Sequence, residues 1–149
     1  QLYKKGILIG MGTDAYTNDM LESLKVALCS QRHNACMPNV AWCEVTDMLF
    51  KNNAKMAERC GFPTLGVLKP GAAADVIVMD YKPYTPFSDA NIDGHMIFGM
   101  TGRQCQTTMI NGKILMKDRV LTEIDEEAVN AHVLESAKRL WGKLNHCEY

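Results

Sequence analysis

Gly6-Ile7-Leu8-Ile9-Gly10-Met11-Gly12-Thr13-Asp14-Ala15, followed at once by Asn18-Asp19-Met20-Leu21-Glu22, is the stretch on which the fold turns. A short apolar run that ends in glycines and then presents one carboxylate has the pattern of a buried strand delivering an acid to the mouth of an α/β architecture. Asn18 or Asp19 can cap the helix that follows, and Asp19 and Glu22 suit the positive end of its dipole. The expected order is strand (Gly6 to Met11), acidic loop, helix. Taken locally, Gly-Thr-Asp after a strand is more often only a plain turn.

Outward from that stretch, Met20, Leu24, Ala27 and Leu28 recur at i, i+4, i+7 and i+8 with Glu22, Lys25 and Gln31 between them, which predicts a helix over 19–33 with one buried face. After Pro38, the apolar groups Val45, Met48, Leu49, Phe50 and Ala54, Met56, Ala57 predict two short helices broken around Asn52-Asn53. Lys69-Pro70-Gly71 reads as a tight turn and Val76 to Met79 as a β-branched strand. Tyr81 to Pro86 is an extended loop, and Met96-Ile97-Phe98 is a weaker strand candidate. Thr107 to Ile110, Asn111-Gly112 and Lys113 to Met116 predict a hairpin, which Arg119-Val120-Leu121 extends. From Asp125, an N-cap followed by Glu126 and Glu127, the residues Val129, Val133, Ala137, Leu140 and Leu144 predict a last helix that needs a surface to cover.

With 149 residues the chain can build one ordinary core, whereas a (β/α)8 barrel takes about 250. Hydrophobic content of 47% and charged content of 22% are those of a globular protein, and a net charge of −1 offers no general attraction to nucleic acid or an anionic membrane. No run approaches the roughly 20 apolar residues of a membrane span, and Gln1 opens no charged-then-apolar leader. The expected location is the cytoplasm. Six cysteines (29, 36, 43, 60, 105 and 147) form no Cys-x-x-Cys pair and read as free thiols. Cys29, Cys36 and Cys43 lie seven apart, but Pro38 interrupts any helix that would align them for a metal.

His33, His95, His132 and His146 make no His-x-His or His-x3–4-His pair and read as surface or helix-end residues. There is no Gly-x-Ser-x-Gly elbow and no phosphate-cradling glycine loop. Asp14 is left as the one residue whose position suggests chemistry.

A second landmark, Leu65 to Asp80 (Leu-Gly-Val-Leu-Lys-Pro-Gly-Ala-Ala-Ala-Asp-Val-Ile-Val-Met-Asp), resembles the segment by which amidohydrolase-superfamily enzymes leave their barrel and enter a small β-domain. Together with Gly12-Thr13-Asp14, Asn18 to Glu22, Asn53-Ala54-Lys55-Met56-Ala57 and the Ile110-Asn111-Gly112-Lys113 hairpin, it makes nearly the whole chain resemble the C-terminal part of a metal-dependent amidohydrolase. The nearest branch holds cytosine, guanine and S-adenosylhomocysteine deaminases and chlorohydrolases. The resemblance implies an α/β fold: the last β/α unit of the barrel with trailing helices (1–62), part of an accessory β-sandwich (63–122), and a C-terminal helix packing back on the barrel (123–149).

It further implies that Asp14 is both catalytic and a ligand of a divalent metal, zinc or iron. The family's other ligands, a His-x-His and two further histidines, are expected before Gln1. A carboxylate so placed can take a proton from the attacking water and return it to departing ammonia. The loop Ala15-Tyr16-Thr17 is shorter than the family's. The expected activity is hydrolysis of a non-peptide C–N bond in a purine-like or related heterocycle, with this chain alone inactive and holding no metal. The expected partners are a small-molecule substrate and further copies of the chain, with neither nucleic acid nor membrane. The rival expectation is a metal-free structural or oligomerisation module in which Asp14 is a turn residue.

Overall fold

The computed structural model describes residues 2–146. Helix α1 runs Met20–Ala35, and Asp19 caps it: one carboxylate oxygen accepts the N–H groups of Leu21 (2.9 Å) and Glu22 (3.3 Å). Arg32 and His33 in its last turn face the negative end of the dipole. The predicted apolar face is the buried one, with Leu24 and Leu28 fully inaccessible to water.

Across from α1 lies one continuous helical segment, where the sequence predicts two helices and a break. Helix α2 (Trp42–Thr46) passes into a π-helical stretch (Asp47–Asn52) and then into α3 (Asn53–Arg59). The asparagine pair changes the winding instead of ending it. Asn52 and Asn53 send their side chains to a neighbouring segment, so the helix keeps its own backbone bonds while the wider turn aims two successive residues the same way.

A second correction concerns Met96 to Phe98, expected as a strand. Helix α4 (Ile92–Gly94) continues as a π-helical turn over His95–Gly99, and Ile97 from it is fully buried against α1. A three-residue apolar run has no period of its own, and burial on one side suits either winding. Leu24, Leu28, Val45 and Ile97 form the core, with Met11, Leu21, Ala27, Trp42, Leu49 and Met96 packed around it. Trp42 is fixed by Phe98 at 5.8 Å and by the Arg32 guanidinium at 5.2 Å from its ring.

The sheet follows the sequence closely. Strands β1 (Val76–Met79), β2 (Cys105–Ile110), β3 (Lys113–Lys117) and β4 (Val120–Leu121) form an antiparallel sheet in chain order. Ile110 pairs with Lys113, leaving Asn111 (φ 49°) and Gly112 (φ 80°) as the two-residue turn whose positive φ angles match strand twist. Asp118 and Arg119 repeat that turn between β3 and β4. Asp75 accepts the Asn111 N–H at 2.7 Å and so ties the start of β1 to the hairpin tip.

Helix α5 (Glu126–Leu144) is capped by Asp125 as predicted, but none of its residues is buried. The whole chain exposes 11,575 Å², against about 7,600 Å² for a compact monomer of 16.6 kDa. Much apolar surface therefore stands uncovered, on α5 above all. No helix among the described residues is long and apolar enough to cross a membrane.

Candidate functional site

The opening stretch does not pair as a strand. Gly6 sits in a left-handed turn (φ 76°) that closes a short 3-10 helix over Tyr3–Lys5, and the backbone from Ile7 to Thr13 is irregular, with no strand beside it among the described residues. Strand geometry needs a neighbouring strand to take its N–H and C=O groups. Here asparagine side chains stand in for one. Asn52 Nδ2 donates to the Ile9 carbonyl at 2.8 Å, the Met11 N–H donates to Asn53 Oδ1 at 2.9 Å, and Asn53 Nδ2 donates to the Met11 carbonyl at 2.9 Å.

Beyond Met11 the chain makes a tight turn. Tyr16 N–H donates to the Thr13 carbonyl at 3.1 Å, and the two residues between, Asp14 (φ 51°) and Ala15 (φ 59°), are both left-handed. Asp14 is exposed at the tip, and among the described residues no hydrogen bond engages its carboxylate. Beside it, Met11, Gly12, Thr13, Tyr16, Thr17 and Glu22 line part of an open cleft of about 440 Å³ that continues along α1. The Thr17 hydroxyl donates to Glu22 at 2.7 Å and accepts the Asp19 N–H at 3.0 Å, so the turn passes into the helix cap without slack.

Asp19 does more than its expected duty. Its second oxygen accepts the Gly102 N–H at 2.6 Å, joining the start of α1 to the segment that enters β2. A side chain at position 102 would stand 2.9 Å from that carboxylate, so the close approach requires glycine. Neither this link nor the asparagine clamp has a local sequence signature, since both join residues more than 40 positions apart. The doublet Asn52-Asn53 was the available signal, and it reads as a helix breaker.

No group of three or more His, Cys, Asp or Glu side chains converges among the described residues. Asp14 offers a free oxygen donor of the kind a divalent cation takes, but it is a single donor, and a catalytic zinc site uses three from protein. The donor set is thus partial. Cys29, Cys36, Cys43, Cys60 and Cys105 are unpaired, and Cys147 lies outside the described residues. Of the histidines, His33 and His132 are exposed, and the His146 ring meets the Gly142 carbonyl at 2.6 Å. His95 stands at the end of α4, the helix-end alternative, but is half-buried, with Tyr81 Oη 2.6 Å from Nδ1, Thr85 Oγ1 3.2 Å from Nε2, and the Phe87 ring at 5.1 Å.

The resolved charge perturbations lie elsewhere. Lys51 at 2.6 Å, and then the Tyr3 hydroxyl at 2.8 Å, hold the Asp47 carboxyl below its usual range. The same carboxylate raises Tyr3 and Lys51.

The Asp14 turn, the asparagine clamp and the Asp19–Gly102 link all lie within residues 1–115, which the profile of the amidohydrolase family matches. The chain belongs to the amidohydrolase family. Its relatives include 5′-deoxyadenosine deaminase of Methanosarcina barkeri, 29% identical over 97% of this chain and 34% of that protein. Another is 5-methylthioadenosine/S-adenosylhomocysteine deaminase of Halothermothrix orenii, 31% identical over 93% of this chain and 33% of that protein. The chain thus spans about a third of the length of these relatives. Among solved structures, a zinc-bound adenosine deaminase from Xanthomonas campestris shares the fold with a TM-score of 0.78 at 17% identity, over 95% of this chain and 33% of that one. The zinc complex of atrazine chlorohydrolase TrzN from Arthrobacter aurescens TC1 gives 0.66 at 24% identity, over 89% of this chain and 30% of that one.

Proposed function

We propose that this chain is the C-terminal third of a cytoplasmic, metal-dependent deaminase, in which Asp14 is both a metal ligand and the group that moves the proton. The carrying observation is the placement of Asp14: an exposed carboxylate without hydrogen-bond partners, held at a tight turn beside a cleft. Residues 1–62 complete the barrel, 63–122 supply part of the accessory sandwich, and 123–149 pack back across the barrel. The motifs stand nearest the SsnA-type aminohydrolases, while the relatives bearing deaminase names favour a 5′-modified adenosine as substrate.

A bound zinc or iron ion would supply Lewis acidity and lower the pKa of water. Its remaining ligands would come from outside the described residues. Asp14 would accept the proton of the attacking water and pass it to the departing ammonia. Without those other ligands the 149-residue chain alone hydrolyses nothing, and its uncovered surface favours association with its own copies.

The rival reading, a metal-free structural module, draws on one observation: a residue at φ 51° in a two-residue turn is also what a turn aspartate looks like. Ammonia release from 5′-deoxyadenosine, 5′-methylthioadenosine and S-adenosylhomocysteine by the full-length protein separates the two. Asp14→Asn should lower that rate by about 10²–10⁴. Near wild-type turnover in the variant would remove Asp14 from the chemistry, and no ammonia from any adenosine derivative would end the substrate assignment.

A further inference from the structure

We propose that Asn53 is the positioning residue for Asp14, acting through the backbone of Met11, and that Gly10 is glycine because this clamp leaves no room for a side chain. The inference rests on the Asp14 reading above and deepens it. Since no hydrogen bond among the described residues holds the carboxylate, its direction is set by the backbone on either side. Downstream, the Thr13–Tyr16 turn and the Thr17–Asp19 contacts fix it. Upstream, the fixed point is Met11, three residues away, and only the Asn53 carboxamide holds both its N–H and its carbonyl, at 2.9 Å each.

That double contact selects the residue type. A carboxamide carries an acceptor and a donor on one planar group and so replaces one residue of a neighbouring strand. The orientation of the amide is forced, because the Met11 N–H can only donate and its carbonyl can only accept. Aspartate would keep the first bond and repel the carbonyl; alanine would lose both. Asn52, nine-tenths buried, adds a third bond to Ile9, so two successive side chains of the π-to-α junction hold alternate residues of one segment.

Gly10 lies between the two held residues. A Cβ there would overlap Asn53 Oδ1 and stand 2.6 Å from Met56 Sδ. The helix therefore approaches the segment as closely as a bare backbone allows. The motif Asn53-Ala54-Lys55-Met56-Ala57 thereby acquires a role: it is the wall against which the Asp14 segment is set.

The test uses the full-length protein with Asn53→Ala, Asn53→Asp and Asp14→Asn, 5′-deoxyadenosine as substrate, and hydrogen exchange read by mass spectrometry. Asn53→Ala should lower kcat by about 10²-fold, the scale of an ångström-sized misplacement, with KM within about threefold. Exchange in the peptide covering residues 9–14 should accelerate at least about tenfold while α1 keeps its protection. Asn53→Asp, which retains one of the two bonds, should fall between wild type and alanine in both readouts. Unchanged exchange over 9–14 overturns the proposal, as does an equal loss of protection in α1, which would mark general unfolding. Faster exchange with undiminished turnover in Asn53→Ala, beside an inactive Asp14→Asn, overturns the positioning role alone. An active Asp14→Asn brings down the Asp14 reading and the inference with it, whatever Asn53→Ala does.

Discussion

Helices α1 and α5 start alike. Each is capped by an aspartate whose side chain accepts backbone N–H, each has glutamate in its first turn, and each repeats apolar residues at helical spacing. Their surroundings differ completely. Leu24 and Leu28 of α1 are sealed under α2 and the turn at His95–Gly99, whereas Leu140 and Trp141 of α5 remain 56% and 61% exposed. Periodicity thus says that a face is made to be covered and says nothing about what covers it. For α1 the cover lies in the same chain. For α5 it does not lie among the described residues.

The sharpest way to break that contrast is to weigh the chain in solution. Its uncovered α5 face and the free outer edges of β1 and β4 predict a dimer or larger assembly at micromolar concentration, with at least twice the mass of 16.6 kDa by light scattering. A cooperatively folding monomer would show that α5 can remain bare.

Next in size are substitutions in the two apolar faces. Leu24→Ala and Leu28→Ala should each cost about 2–5 kcal/mol in denaturant melts at any protein concentration, because their cover is intramolecular. Leu140→Ala should cost less than about 0.5 kcal/mol in the dilute chain, and its penalty should grow with concentration as copies associate. A large, concentration-independent penalty at Leu140 would place a cover for α5 within its own chain.

The caps sharpen the comparison further. Asp19 serves three N–H groups, one of them from Gly102, and Asp125 serves one. Asp19→Ala should therefore cost about 2–3 kcal/mol and loosen the entry to β2, while Asp125→Ala costs about 1 kcal/mol and stays local. Equal penalties would mean that the Gly102 contact contributes nothing.

The smallest effect is electrostatic and belongs to the α1 side. Asp47 is held below its usual 3.8 by Lys51 and Tyr3, so its contribution is full above that value and is lost as pH falls through the depressed one. Because the pair is partly exposed, Asp47→Asn should remove no more than about 1 kcal/mol at pH 7 and flatten the acid limb of the stability curve. An acid limb identical to wild type would show that the contact does not persist in solution.

The elements that were legible in the sequence are those whose cause is local. Asn111-Gly112 names its turn, Pro70-Gly71 names another, and Asp19 and Asp125 name two helix starts. The errors have the opposite character. Gly6 to Met11 carries the composition of a strand, but a strand exists only with a neighbour, and here two asparagines take that place. Asn52-Asn53 looks like a break because its polar side chains have no evident partner nearby in sequence; their partners are more than 40 residues away. Met96 to Phe98 was too short to show a period. For the proposed site, position in the sequence singles out Asp14 and the resemblance supplies its role, while the clamp on Met11 and the Asp19–Gly102 link required the folded chain.

The left-handed pair at Asp14 and Ala15 sets a conflict for anyone who would make this protein sturdier. Aspartate tolerates that conformation, but alanine does so at a cost of about 1 kcal/mol or more, and glycine would relieve it. Selection for heat resistance would thus find Ala15→Gly attractive. The gain, relieved strain less the larger entropy of the unfolded chain, would bring with it a freer backbone beside the residue proposed to move the proton. A library screened for melting temperature alone should enrich glycine at 15, and one screened for turnover should reject it.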